Sequence, residues 1–277
     1  MFKQRLISSL ILIPIAILSL FYFKEIWFTA MLAMIGGLAV WEWSRMMKLD
    51  DPRLRIFLGG LFTASVILIA VVLNPTQKAL VNHMILSISV GWWIAAIGLV
   101  LTYPKSSMVW EHGYLLKVLF IFFILLPFIV AMVELRDKSP WWVLYVLVLV
   151  WTSDTGAYLV GKKWGKHKMA PKVSPGKTWQ GFAGAIVLSS LLPISVSVLY
   201  PQFIEIKPII FVLISLITVI VSVFGDLAES MFKRNGGIKD SSNLIPGHGG
   251  VLDRIDSLTA AVPIFFVLFQ YIHNLAA

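Results

Sequence analysis

The chain contains no cysteine. Disulfides, thiolate nucleophiles and cysteine-ligated metal sites are therefore excluded. Charge is also scarce: Asp, Glu, Lys and Arg make up 13% of the 277 residues, against 58% hydrophobic. So apolar a chain leaves no stretch for a large soluble domain. Heptads, low-complexity tracts and a convincing internal repeat are missing as well. The apolar runs lack the alternation of barrel strands, which leaves helices as the spanning element.

What is present is a succession of apolar runs about twenty residues long, enough to cross a bilayer as helices. Nine segments are expected, at 6–23, 26–44, 56–73, 80–103, 118–135, 141–160, 181–200, 208–231 and 255–273. The fold class is thus an all-α, polytopic integral membrane protein. It is expected to be a single membrane domain over 1–277, with 1–140 mainly scaffold helices and 141–277 carrying the catalytic motifs. The first segment follows a basic start at Lys3 and Arg5, but no small-residue cleavage site follows it, so it is expected to stay in the chain.

Basic residues are distributed unevenly about these segments. With a cytoplasmic N-terminus, 18 of the 23 Lys and Arg fall inside; Lys24, Lys78, Arg136, Lys138 and Lys207 fall outside. The positive-inside rule then favours N-inside and, with nine spans, C-outside. Trp27, Trp41, Trp43, Trp110, Trp141 and Trp142 lie near segment ends and are expected to be interfacial anchors. The net charge of +9 follows from the same asymmetry and attraction to anionic lipid, so no nucleic-acid partner is implied. Small-residue stretches at Gly36-Gly37 and Gly59-Gly60 permit close helix packing.

The first half is chemically quiet. Glu25, Asp50, Asp51, Glu111, Glu134 and Asp137 sit in or near loops, and Glu42, inside WEWSR, is expected to have a structural or interfacial role. The second half differs. Asp154 stands within an apolar span, and the loop after it carries six lysines from Lys162 to Lys177, with Ser174 and Thr178. Multiple cations on one loop suit a polyanion such as a triphosphate or a phospholipid head, although a plain positive-inside loop has the same composition. The SPGKT string is not a Walker A motif, because Pro171 occupies the position of its first glycine.

Gly225 to Asp256 is the densest polar stretch, with five carboxylates, four Lys or Arg and one histidine between two apolar segments. Ionisable groups at membrane depth are costly and mark functional sites. If the helix continues, Asp226, Glu229, Ser230 and Lys233 share one face; an internal salt-bridge ladder is the plainer reading. Asp253 and Asp256, three apart, converge if the next segment opens as a helix. Carboxylates from two facing helices make a hard, oxygen-rich site suited to magnesium. The PGHGG turn at 246–250 and the helix start after it would offer amides to phosphate. Metal-assisted phosphoryl or nucleotidyl transfer is the chemistry this combination suits.

At these residues the chain resembles the phosphatidate cytidylyltransferases, also called CDP-diacylglycerol synthases. The signature pattern is met by Ser230, Lys233-Arg234, Lys239-Asp240, Ser242, Ile245-Pro246, His248-Gly249-Gly250, Asp253-Arg254 and Asp256, with no departure. Upstream, Asp154, Ala157, Gly161, GKHK, Ser174-Pro175 and Lys177-Thr178 look like the family's second polar block. The length and compact N-terminal half look bacterial.

The resemblance implies transfer of CMP from CTP to phosphatidate, giving CDP-diacylglycerol and pyrophosphate, in a bacterial inner membrane with the site facing the cytoplasm. It implies Mg2+ as cofactor, with room for a second metal ion. Asp226, Asp253 and Asp256 are then the expected metal-binding carboxylates and, with Lys233, the catalytic set. Ser174, Lys177, Arg234, Lys239, His248, Gly249, Gly250 and Arg254 are expected to contact substrate, with Asp154 and Glu229 behind the metal ligands. Membrane lipid is the surrounding partner, and a homodimer is a further expectation of the resemblance.

Two rivals remain at this level. An ion-coupled transporter would suit nine spans and intramembrane acids, but its inverted repeat is missing and the polar groups concentrate on one side. Another lipid phosphotransferase is the second. The longer aspartate-glycine pattern of CDP-alcohol phosphotransferases is absent, while a CTP-dependent polyprenol kinase needs the same nucleotide and metal.

Overall fold

The computed structural model describes residues 2–204 and 206–276. The side chains of 2–7, 9 and 274–276 lie outside the described residues, and with them the expected charges of Lys3 and Arg5. Among the described residues, eight helices are long and apolar enough to span a membrane. They are α2 (Glu25–Met46), α3 (Pro52–Val72), α4 (Pro75–Thr102), α6 (Tyr114–Lys138), α7 (Pro140–Trp164), α8 (Trp179–Leu199), α9 (Pro208–Gly236) and α10 (Leu252–Ala276). The first expected segment, 6–23, falls on α1 (Phe2–Tyr22), of which Leu10–Tyr22 is a shorter apolar helix. α5 (Ser107–Trp110) is a single turn, and a small antiparallel hairpin joins β1 (Lys168–Ala170) to β2 (Ser174–Thr178).

Helix ends follow local capping chemistry. Asp51 accepts from the Arg53 amide ahead of Pro52, Asn74 and Gln77 form a reciprocal box ahead of Pro75, and Ser139 caps α7 ahead of Pro140. Proline at the first helical position loses no hydrogen bond. Thr178 caps α8 through the Gly181 amide. At the other end of α9, Gly237 takes a left-handed φ of 74°, the usual exit from a helix. These polar ends lengthen several helices beyond their apolar windows: α9 runs to Gly236 rather than 231, and α10 opens at Leu252 rather than 255.

Packing pairs α2 with α3, α7 with α8, and α9 with α10. Gly37 and Gly59 bring α2 and α3 together, since a Cβ at Gly59 would stand 2.7 Å from the Gly37 carbonyl oxygen. That small-residue stretch is therefore used within the chain. Gly225 does the same for α9 and α10, where a Cβ would stand 2.8 Å from the Asp256 carbonyl oxygen.

The tryptophans divide. Trp27 and Trp141 are exposed, as anchors would be, but Trp43, Trp110 and Trp142 are core residues. Trp43 and Trp110 pack edge-on against Phe232 at 4.6 and 4.7 Å, and Trp142 stacks on Phe203 at 4.3 Å. Proximity to a segment end suggested the interface; aromatic partners from distant helices take these three inside instead.

Charged groups gather at two ends of the bundle. Lys78 pairs with Glu25 at 2.7 Å, Asn82 donates to Glu134 at 2.6 Å, and Arg136 donates to the Leu20 carbonyl at 2.9 Å. At the other end, the hairpin, the last turn of α2, the end of α9 and the start of α10 meet.

Candidate functional site

α9 stays helical through its polar end, so Asp226, Glu229, Ser230 and Lys233 do share a face. β2 brings Lys177 to that face: its Nζ stands 2.7 Å from Asp226 Oδ2 and donates to the Val223 carbonyl at 3.2 Å. Ser230 Oγ donates to the other Asp226 oxygen at 3.2 Å. Gly176 and Lys177 lie in a strand, so the SPGKT string forms no phosphate loop.

One turn further along α9, Lys233 Nζ lies 2.7 Å from Asp253 Oδ1 and 3.3 Å from Glu229 Oε1. Asp253 belongs to the first turn of α10. Its second oxygen accepts from the Ser241 amide and hydroxyl, both at 2.9 Å, and from the Gly250 amide at 2.8 Å. The two polar blocks of the sequence are thus brought together, with Lys177 from one and Asp226 from the other in direct contact.

Beside this contact lies a cavity of about 370 Å3 lined by Asp154, Tyr158, Lys162, Lys177 and Phe182. Asp154 therefore faces the same space as Lys177. Ser174 opens β2 and is half-buried, while Lys239 and Arg254 are exposed at the mouth of the turn. His248 sits between two left-handed glycines, Gly247 (φ 78°) and Gly249 (φ 87°), and its amide donates to the Ile245 carbonyl at 2.9 Å.

Two expected substrate contacts are otherwise engaged. The Arg234 guanidinium donates to the Val173 carbonyl at 3.2 Å and the Ile238 carbonyl at 3.4 Å, tying the hairpin to the end of α9. The Gly250 amide, expected to face phosphate, is spent on Asp253. Just before α10 and at its first residue, Val251 N and Leu252 N donate to Glu42 at 2.9 and 2.8 Å and so are not open either. A helix start carries orphan donors only until an acceptor takes them, and Glu42 and Asp253 between them take the amides of Gly250, Val251 and Leu252 leading into α10.

Glu42 is the residue that sequence reasoning undervalued. It is fully buried rather than interfacial, and it also accepts from Ser241 Oγ at 2.9 Å and Ser242 Oγ at 2.5 Å. Arg45, one turn on, donates to the Ser241 carbonyl at 2.9 Å. Its only local signal was a lone acid inside an apolar run; its partners stand about two hundred positions away.

The donors suit a hard cation in part. Asp226 pairs with Lys177, Glu229 and Asp253 share Lys233, and Asp256 lies beside Glu229 without a lysine partner of its own among the ion pairs of the described residues. Glu229 is 5% exposed, its ammonium partner Lys233 is shared with Asp253, and the Asp256 carboxyl faces it. Several buried acids around one lysine call for added positive charge, and an all-oxygen set favours a hard divalent ion. Asp253 is the least available of the three expected ligands, since Lys233 and the turn already hold both its oxygens. Among the described residues no three acids or histidines stand ready at ligand spacing. The arrangement is an acidic basin short of positive charge rather than a finished cage.

Comparison with known proteins covers nearly the whole chain. The chain is 40% identical to a phosphatidate cytidylyltransferase of Haemophilus influenzae over 98% of its own length and 100% of the relative's. It is 41% identical to the Pseudomonas aeruginosa protein of that name, covering 97% of each. The Bacillus subtilis counterpart is 33% identical over 96% of this chain and 97% of its own. The sequence profile of the Cytidylyltransferase family matches residues 3–272, and the chain belongs to that family.

Proposed function

We propose that this chain transfers the cytidylyl group of CTP to phosphatidate, forming CDP-diacylglycerol and pyrophosphate. The observation that carries the reading is the contact between Lys177 and Asp226 beside an open cavity. It joins a cationic hairpin to an acidic helix end, as two polyanionic substrates require. The names of the full-length bacterial relatives support the same substrates.

In the reaction, a phosphate oxygen of phosphatidate forms a bond to the α-phosphorus of CTP. The bond from that phosphorus to the bridging oxygen breaks, and its electron pair leaves with pyrophosphate. The attacking phosphate is already an anion, so the barrier lies in charge repulsion and alignment more than in proton removal. Lys177 and Lys233 lower that repulsion. Asp226 and Asp253 hold the two ammonium groups at fixed points, so little reorganisation is needed as charge moves to the leaving group. Glycine-tight packing of α9 on α10 keeps these points at constant separation.

Asp226 and Asp256, with Glu229 beside them, are the groups that would hold Mg2+, and the bound ion would supply further shielding of the phosphates. Asp253 then serves chiefly to orient Lys233. The charge bias of the loops supports an N-terminus and active site on the cytoplasmic side of a bacterial inner membrane, where CTP is available.

The test supplies purified protein with Mg2+, phosphatidate and CTP labelled at the α-phosphate. Label entering lipid, with release of pyrophosphate, is expected. Label recovered as free CDP, with an unlabelled phosphorylated lipid, would identify a kinase and end this reading. Chelation should stop the transfer and added Mg2+ restore it; unchanged turnover in chelator would remove the metal.

A further inference from the structure

The contacts of Glu42 reach further than a buried acid needs for its own stability. Two hydroxyls and two amides converge on its two oxygens, filling both: Ser242 Oγ and Val251 N on one, Ser241 Oγ and Leu252 N on the other. Ser241 Oγ also stands 2.9 Å from Asp253 Oδ2, so one hydroxyl proton serves two carboxylates. Asp253 in turn holds Lys233. A continuous chain of polar contacts therefore runs from α2, in the quiet half of the sequence, to the Lys233 ammonium. Arg45 braces the same link through the Ser241 carbonyl.

We propose that Glu42 is a positioning residue for cytidylyl transfer, fixing the turn between α9 and α10 so that Asp253 presents Lys233 to the substrate phosphates. This role rests on the reaction proposed above. Only a carboxylate fits the place. A glutamine of the same shape accepts on one atom alone, and its NH2 must face either the Val251 or the Leu252 amide. Two donors then oppose each other in a buried site. The turn has to shift to relieve them, and Ser241, Asp253 and Lys233 shift with it.

The experiment measures steady-state transfer from α-labelled CTP to phosphatidate by the full-length protein and three variants. Absence of transfer by the unsubstituted protein sinks the reaction itself, and this role with it. With that protein active, Glu42→Gln is expected to raise KM for CTP about fivefold and lower kcat about tenfold at normal membrane abundance. A merely structural role would shrink the active fraction, lowering kcat and leaving KM alone, so an unchanged KM overturns the proposal. Ser241→Ala should act in the same direction, and the double variant should be no worse than the stronger single. Losses that multiply would show two independent effects and also overturn it. If Glu42→Gln fails to accumulate, Ser241→Ala decides by the same KM criterion.

Discussion

Glu42 and Glu229 are buried glutamates on helices that border the same turn, and their surroundings are opposite. Glu42 receives four hydrogen bonds from neutral donors, so its charge is spread over a complete shell. Glu229 has one ammonium beside it, Lys233 at 3.3 Å and shared with Asp253, and faces another acid. A carboxylate with a full set of donors is an anchor and has no capacity left for a ligand. One that shares its only cation with a second acid is less fully compensated. The contrast separates a carboxylate that is held on every side from one that is not, on helices that meet at the same turn.

Removing the link between the two regions should have the largest effect. Asp253→Asn removes the charge that pairs with Lys233 and places its NH2 either against that ammonium or against the three donors from Ser241 and Gly250. Transfer of label into lipid should fall about 10³-fold, the scale seen when a preorganised electrostatic group is lost, while insertion stays normal. Near-normal turnover would take Asp253 out of the machinery.

A smaller effect is expected from crowding the anchored side alone. Gly250→Ala would place a methyl against the Ser241 hydroxyl and 2.5 Å from Glu42 Oε1. Overpacking of this kind costs about 1–3 kcal/mol, read as a lower unfolding midpoint in detergent together with reduced transfer. An unchanged midpoint would mean that the turn yields easily, and the contrast between the two glutamates would weaken.

The smallest effect belongs to the far end of the bundle. Lys78→Ala removes a pair whose glutamate partner is 52% exposed. Exposed pairs contribute less than about 1 kcal/mol, so the transfer rate should match that of the unsubstituted protein. A large loss there would extend the functional region across the membrane.

The spans were legible because bilayer thickness imposes a run length that hydropathy registers directly. The facing acids of α9 were legible too, since Asp226, Glu229 and Lys233 are related by helical steps. Tertiary placement was not. Trp43 and Trp142 stand near segment ends, and only their partners Phe232 and Phe203 make them core. The Gly250 amide looked open to phosphate because nothing local says that Asp253 curls back to take it. Glu42 has donors 199 to 210 positions away, a distance no motif or period expresses.

That separation also sets a schedule. At roughly 5–20 residues per second of synthesis, Glu42 emerges some 10–40 s before the serines and amides that will surround it. Through that interval the second helix carries a carboxylate with no internal partner, and water or lipid headgroups must serve as its temporary shell. The turn between α9 and α10 is what relieves it. A chain stopped short of residue 252 leaves that carboxylate's shell incomplete.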